Sequence, residues 1–210
     1  MVTASIAVCA LAVAALLISD YYQSTLGRWL AKPLASSCFI AAALAWGAVD
    51  SAYGRIVLLA LALCWLGDVL LIPHERPRSF QLGIASFLLG HVALTLAFLL
   101  RSWEPGVLAV AAVASGLAAW RVLRWLAGHV PDDFRLPVAL YVVVIAGMVA
   151  AAASTTAATG LGTILLGALM FAISDLSVAR DRFVTPAFLN GAWGLPLYFA
   201  GQLVLASTVT

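Results

Sequence analysis

The sequence predicts an all-α polytopic membrane protein, a bundle of eight transmembrane helices in a single integral membrane domain covering residues 1–210. Three observations predict it. The 210 residues are 64% hydrophobic and only 10% charged, against ~45–50% apolar and ~25% charged in a soluble domain. The apolar runs are continuous and do not alternate with period two, which excludes a transmembrane β-barrel. Charges and Pro/Gly cut these runs into pieces of about the length a bilayer requires, ~20 residues each.

The elements follow in order as spans of about 2–18, 33–49, 55–72, 80–100, 106–127, 136–153, 159–179 and 186–207. The first has no basic n-region and passes directly into Asp20, Tyr21 and Tyr22, so it reads as a retained helix and not as a cleaved signal. The second opens at Lys32-Pro33, because Pro suits a first helical turn. Pro73 ends the third, and Trp103, Trp125 and Trp29 sit at span ends as interfacial anchors.

The connections orient the bundle. Those after spans one, three, five and seven carry Arg28, Lys32, Arg76, Arg78, Arg121, Arg124, Arg135, Arg180 and Arg182, whereas the opposite side has only Arg55 and Arg101. The positive-inside rule places these four connections in the cytoplasm and both termini on the far side. In a bacterial cell the location is the inner membrane. A net charge of +2 with no basic cluster excludes nucleic acid as a partner, and membrane lipids surround the chain. Cys9, Cys38 and Cys64 lie in apolar runs without CxxC spacing, so neither a disulfide framework nor a zinc site is indicated. Aligning Asp68 with Asp175 superposes Ala62–Asp68 on Leu169–Asp175 at about half the chain length. That offset suggests two parallel four-helix halves, with a site expected where they meet.

Ionisable groups inside a span are expensive and mark function. Asp68 and Asp175 stand in different helices at similar depth, about 7 Å inside the cytoplasmic ends by helical rise. They are the candidate catalytic pair. His91 lies near the middle of span four. Asn190, Gly194, Tyr198 and Gln202 follow at four-residue spacing and share one face of span eight. Tyr141 shares a face with Ile145 and Met148, and Lys32 precedes Pro33 at the cytoplasmic start of span two. The candidate binding set is therefore Lys32, His91, Tyr141, Asn190, Tyr198 and Gln202. No HxxxH or HExxH pair occurs, so no metal and no cofactor is called for.

Taken together, Lys32-Pro33, Gly67-Asp68, Gly90-His91, Tyr141 with Met148, the run Gly167-Ala168 through Phe171 to Ser174-Asp175, and Leu197-Tyr198 with Gln202 resemble the YhhN-like lysoplasmalogenase family. The resemblance runs over nearly the whole chain. It implies an eight-helix membrane hydrolase that cleaves the vinyl ether bond of lysoplasmalogens to a fatty aldehyde and a glycerophospho-base, with a lysophospholipid as substrate. That chemistry needs an acid to protonate the β-carbon, an anion to stabilise the oxocarbenium ion and a held water. Two carboxylates can supply these functions, as a glycosidase pair does. Asp175 is the preferred acid and Asp68 the preferred water-orienting base. Two other classes fit intramembrane carboxylates: a proton-coupled transporter or lipid-binding protein, and an aspartyl intramembrane protease, whose GxGD form is broken by Trp65.

Overall fold

The computed structural model describes residues 1–73 and 76–210, leaving His74 and Glu75 outside the described residues. The described residues form long helices in the order α1 (Val2–Tyr21), α2 (Thr25–Ala45), α3 (Ala52–Leu70), α4 (Pro77–Arg101), α5 (Pro105–Leu126), α6 (Asp132–Thr159), α7 (Gly162–Ala179) and α8 (Phe188–Ala206), with no strand among them. A π-helical turn, Arg180–Val184, prolongs α7, and a short 3₁₀ turn follows α8. Seven helices are long and apolar enough to cross a membrane; α2 is the one outside that set. Arg28, Lys32, Ser36 and Ser37 in its first two-thirds lower its hydropathy.

Two boundaries differ from the sequence expectation for identifiable reasons. α2 begins at Thr25 and not at Pro33, because the Ser24 side chain accepts a hydrogen bond from the Gly27 N–H at 3.2 Å and supplies an N-cap. Lys32-Pro33 therefore lies two turns inside the helix, with Pro33 tolerated there at the loss of one backbone bond. α6 extends from Asp132 to Thr159 and stops at Gly160, whose φ of 75° is a left-handed conformation suited to glycine. At about 42 Å by helical rise it is longer than a ~30 Å hydrocarbon core, and its first turn carries the charged Asp132, Asp133 and Arg135.

Consecutive helices pack as hairpins, α1 on α2, α3 on α4, α5 on α6 and α7 on α8. α8 also packs on α1, α2 and α3, and α4 on α6. The core lies where these meet: Phe39, Leu61, Leu94, Phe98, Met148, Ile164, Phe171, Phe199 and Leu205 are fully buried. Glycines let the hairpins close. A Cβ on Gly201 would lie 3.3 Å from the Phe171 backbone nitrogen and 3.4 Å from the Gly167 carbonyl, and one on Gly67 would meet the Phe87 ring at 2.6 Å. α5 is the exception. It packs on α6 and on no other helix to a comparable extent, with only 6% of its apolar window buried.

Candidate active site

Asp68 is on the last turn of α3, 2% exposed, and is held from two other helices. The Tyr198 hydroxyl of α8 donates to its Oδ2 at 2.7 Å and Ser36 of α2 donates to the same oxygen at 2.6 Å. Lys32 Nζ, one turn before Ser36, is 3.3 Å from Oδ1. The Ser36 hydroxyl also lies 3.0 Å from the Lys32 carbonyl. Its single proton is best used on the nearer acceptor, the Asp68 carboxyl. Three donors surround one buried carboxyl, and the lysine balances the charge of its anionic form.

Asp175, four residues before the end of α7, has different company. Tyr141 of α6 donates its hydroxyl to Oδ2 at 3.2 Å, and His91 Nε2 of α4 is 3.2 Å from the same oxygen. His91 Nδ1 is 2.7 Å from the Phe87 carbonyl. A carbonyl only accepts, so Nδ1 carries a hydrogen. Nε2 makes no in-line hydrogen bond, and a hydrogen bond between it and Asp175 requires one proton, seated on either partner. The His91 ring stacks on Phe171 with centroids 4.1 Å apart and meets Tyr141 edge-on at 5.3 Å. Phe171 in turn contacts the Tyr198 ring at 5.5 Å. A continuous aromatic wall thus joins the ring that holds Asp68 to the ring beside Asp175, which fixes both carboxyls on one rigid frame.

Both carboxyls line one cavity of about 570 Å³, together with Lys32, Tyr141 and Tyr198. That volume is within the range of small-molecule sites. The polar groups occupy one end, where α3 and α7 terminate. Toward the other end the wall consists of Ala111 and Ala114 of α5, Val149 and Ala153 of α6, and Leu165 and Leu169 of α7. Ser174 and Ser177 bond the carbonyls of Phe171 and Ser174 in their own helix, at 2.7 Å each.

Of the candidates from sequence, Lys32, Asp68, Tyr141, Asp175 and Tyr198 converge on this cavity, and His91 stands behind Asp175. Asn190 and Gln202 do not line it. Asn190 donates to Asp181 Oδ1 at 2.9 Å and to the Thr185 carbonyl at 2.8 Å while accepting from Arg180 at 2.6 Å, so it ties the π-helical turn to α8. Gln202 is fully buried with neither amide atom hydrogen-bonded. Four-residue spacing correctly placed them on the buried face, but from Asn190 to Gln202 that face runs about 18 Å, and only its middle, Gly194 to Tyr198, reaches the cavity. Sequence reasoning missed Ser36, whose signal was its position one turn after Lys32, and the Phe87 and Phe171 wall. Among the described residues no three His, Cys, Asp or Glu side chains converge as a metal ion would need.

Comparison with known proteins matches residues 27–209 to the model of the YhhN family. The chain belongs to the YhhN family. It is 28% identical over 165 residues to lysoplasmalogenase TMEM86B of Sus scrofa, covering 78% of this chain and 68% of that protein. To the human TMEM86B lysoplasmalogenase it is 29% identical, covering 73% of this chain and 62% of the relative. A lysoplasmalogenase of Mycobacterium bovis is 32% identical, with 70% and 56% covered. The chain thus spans roughly three-fifths to two-thirds of the length of these relatives. No solved structure matches it. The YhhN match begins inside α2 and takes in every residue that lines the cavity.

Proposed function

We propose that this protein is a lysoplasmalogenase, hydrolysing the vinyl ether bond of a lysoplasmalogen to a fatty aldehyde and a glycerophospho-base. The observation that carries the reading is the meeting of two carboxyls from distant helices at the polar end of one otherwise apolar cavity, in a YhhN chain whose relatives carry that name.

The unequal surroundings of the two carboxyls support distinct roles. Asp175, next to His91, delivers a proton to the β-carbon of the vinyl ether, and the double bond's electron pair forms the new C–H bond. The adjacent ether oxygen shares the resulting positive charge as an oxocarbenium ion, which the anionic Asp68 stabilises. Asp68 then takes a proton from water as that water adds to the cation, giving a hemiacetal; the protonated Asp68 gives its proton to the departing glycerol oxygen as the C–O bond breaks, and Asp175 takes the hemiacetal hydroxyl proton, which yields aldehyde and alcohol and restores both carboxyls. Tyr141 and Tyr198 hold the carboxyls in place, and Lys32 faces both Asp68 and the incoming phosphate. No cofactor or metal takes part in this sequence.

The membrane arrangement follows from the charges. We place all eight helices across the bilayer as a single domain, α2 included, with both termini on the non-cytoplasmic side and the site near the cytoplasmic face. Part of the packing repeats under a shift of four helices, α2 on α3 matching α6 on α7 and α8 on α2 matching α4 on α6, whereas α1 on α8 has no α5-on-α4 counterpart. That pattern supports two parallel halves.

The test is hydrolysis in D2O by purified protein in detergent, with no gradient present. The expected product is aldehyde carrying one deuterium on the carbon next to the carbonyl, because that carbon receives the catalytic proton. Absence of aldehyde, or aldehyde without the label, contradicts the reading. A transporter would release none.

A further inference from the structure

Beyond the reacting end, the cavity continues as a groove between α5 and α7 that the reaction does not use. Its walls are apolar there, and from Asp175 back to Leu165 it runs about 15 Å by helical rise, half of a ~30 Å hydrocarbon core and so the depth of one leaflet. α5 turns its small side chains, Ala111, Ala114, Ala118 and Ala119, toward the groove. Because α5 packs mainly on α6, its edge facing α7 is left without a close neighbour, and this gives the groove a lateral mouth.

Beside the far end, a lattice of side-chain bonds ties the helix ends together. Ser154 both donates to the Glu104 carbonyl at 2.8 Å and accepts from the Glu104 N–H at 2.9 Å. Thr155 donates to the Phe98 carbonyl at 2.9 Å, while Thr156 donates to the Leu161 carbonyl and accepts from the Leu165 N–H, each at 3.2 Å. These pin the last turns of α6 to the α4–α5 connection and to the start of α7. The groove is polar at one end and, apart from Ser115, apolar along the rest of its length.

We propose that this groove takes the single alkenyl chain of the substrate, entered sideways between α5 and α7, and that Ala111, Ala153 and Leu165, which line its far end, set the chain length accepted. The occupant is a single hydrocarbon chain whose polar end lies at the carboxyls, because the polar groups stop where the apolar wall begins. The inference rests on the reading of the reaction given above and adds the specificity determinant.

The experiment compares wild type with Ala153→Phe, Ala111→Phe and the opposite change, Leu165→Ala. Val113→Phe, on the exposed face of the same α5, is the control. Two readouts are taken on lysolipids with chains of about eighteen and about ten carbons: kcat/KM on the vinyl ethers, and Kd for non-hydrolysable 1-O-alkyl ethers. Expected is a fall of at least about tenfold in the long-to-short ratio for the two Phe variants, a rise for Leu165→Ala, and no shift in the control. Unchanged ratios, equal losses on both lengths, or ethers that fail to bind wild type overturn the proposal. Shifted Kd ratios without any aldehyde release keep the groove and overturn the reaction. Aldehyde release with unshifted ratios does the reverse.

Discussion

Two aspartates of the same chemistry have different neighbours, and the different tasks proposed for them rest on that difference. Asp68 receives Ser36, Tyr198 and Lys32, and Asp175 receives Tyr141 and His91. Removing one donor should therefore act unequally. Tyr198→Phe deletes a 2.7 Å bond to the buried Asp68, and a buried group left short of a partner costs about 1–3 kcal/mol. We expect kcat to fall about tenfold or more with KM little changed. His91→Gln should lower kcat with KM little changed, since Asp175 then loses the ring held 3.2 Å from its Oδ2. Unchanged kcat in the folded variant contradicts a positioning role for His91. The aspartates were legible in the sequence because a charge within an apolar run must be explained. Ser36 was not, because a serine one turn after a lysine is ordinary on any helix, and nothing local says that α3 brings a carboxylate to it.

The helices existed in the sequence as apolar runs, yet their ends did not. Lys32-Pro33 read as a helix start, and only the Ser24 side chain bonded to Gly27 explains why α2 begins two turns earlier. That earlier start places Lys32 and Ser36 on one face and lets both reach Asp68. The α7–α8 hairpin depends on backbone approach at Gly201, with Phe171 and Gly167 within 3.4 Å of any added Cβ. Gly201→Val should lower the thermal midpoint in detergent through overpacking of about 1–3 kcal/mol, and should also depress turnover, because Phe171 carries His91. Full stability and full activity in the Gly201→Val variant contradict the close-packed hairpin. Helix α5 was indistinguishable from its neighbours as a sequence. Its looseness is a tertiary property, visible only once the partners of each helix are known.

For the molecule as a whole, the basic connections carry the orientation. Cysteines introduced at Thr210 and at Asp132 should react oppositely with a membrane-impermeant maleimide on intact cells: Thr210→Cys at once, Asp132→Cys only after permeabilisation. The native cysteines are buried and should stay silent. The hydrophobic share of the composition made a helical membrane bundle legible, and charge alternation made eight spans the natural count. Seven helices meet the length and apolarity of a span outright, and α2 falls short through the very residues, Lys32 and Ser36, that it brings to Asp68. The presence of α3 and α7 side chains in one cavity was foreshadowed by the similar depth of Asp68 and Asp175 in their helices. The apolar extension of that cavity was not, since its walls come from α5, α6 and α7 side chains far apart in the chain.

The central claim is that Asp68 and Asp175 act together on one substrate in one cavity. It is tested most directly by aldehyde release from a lysoplasmalogen by Asp68→Asn, Asp175→Asn and the double variant, each checked for an unchanged thermal midpoint and elution volume. The account predicts a loss of at least about a hundredfold in each single variant, and a double variant little worse than either, since groups that act as a unit are not additive. Near-normal release by either folded single variant would contradict it.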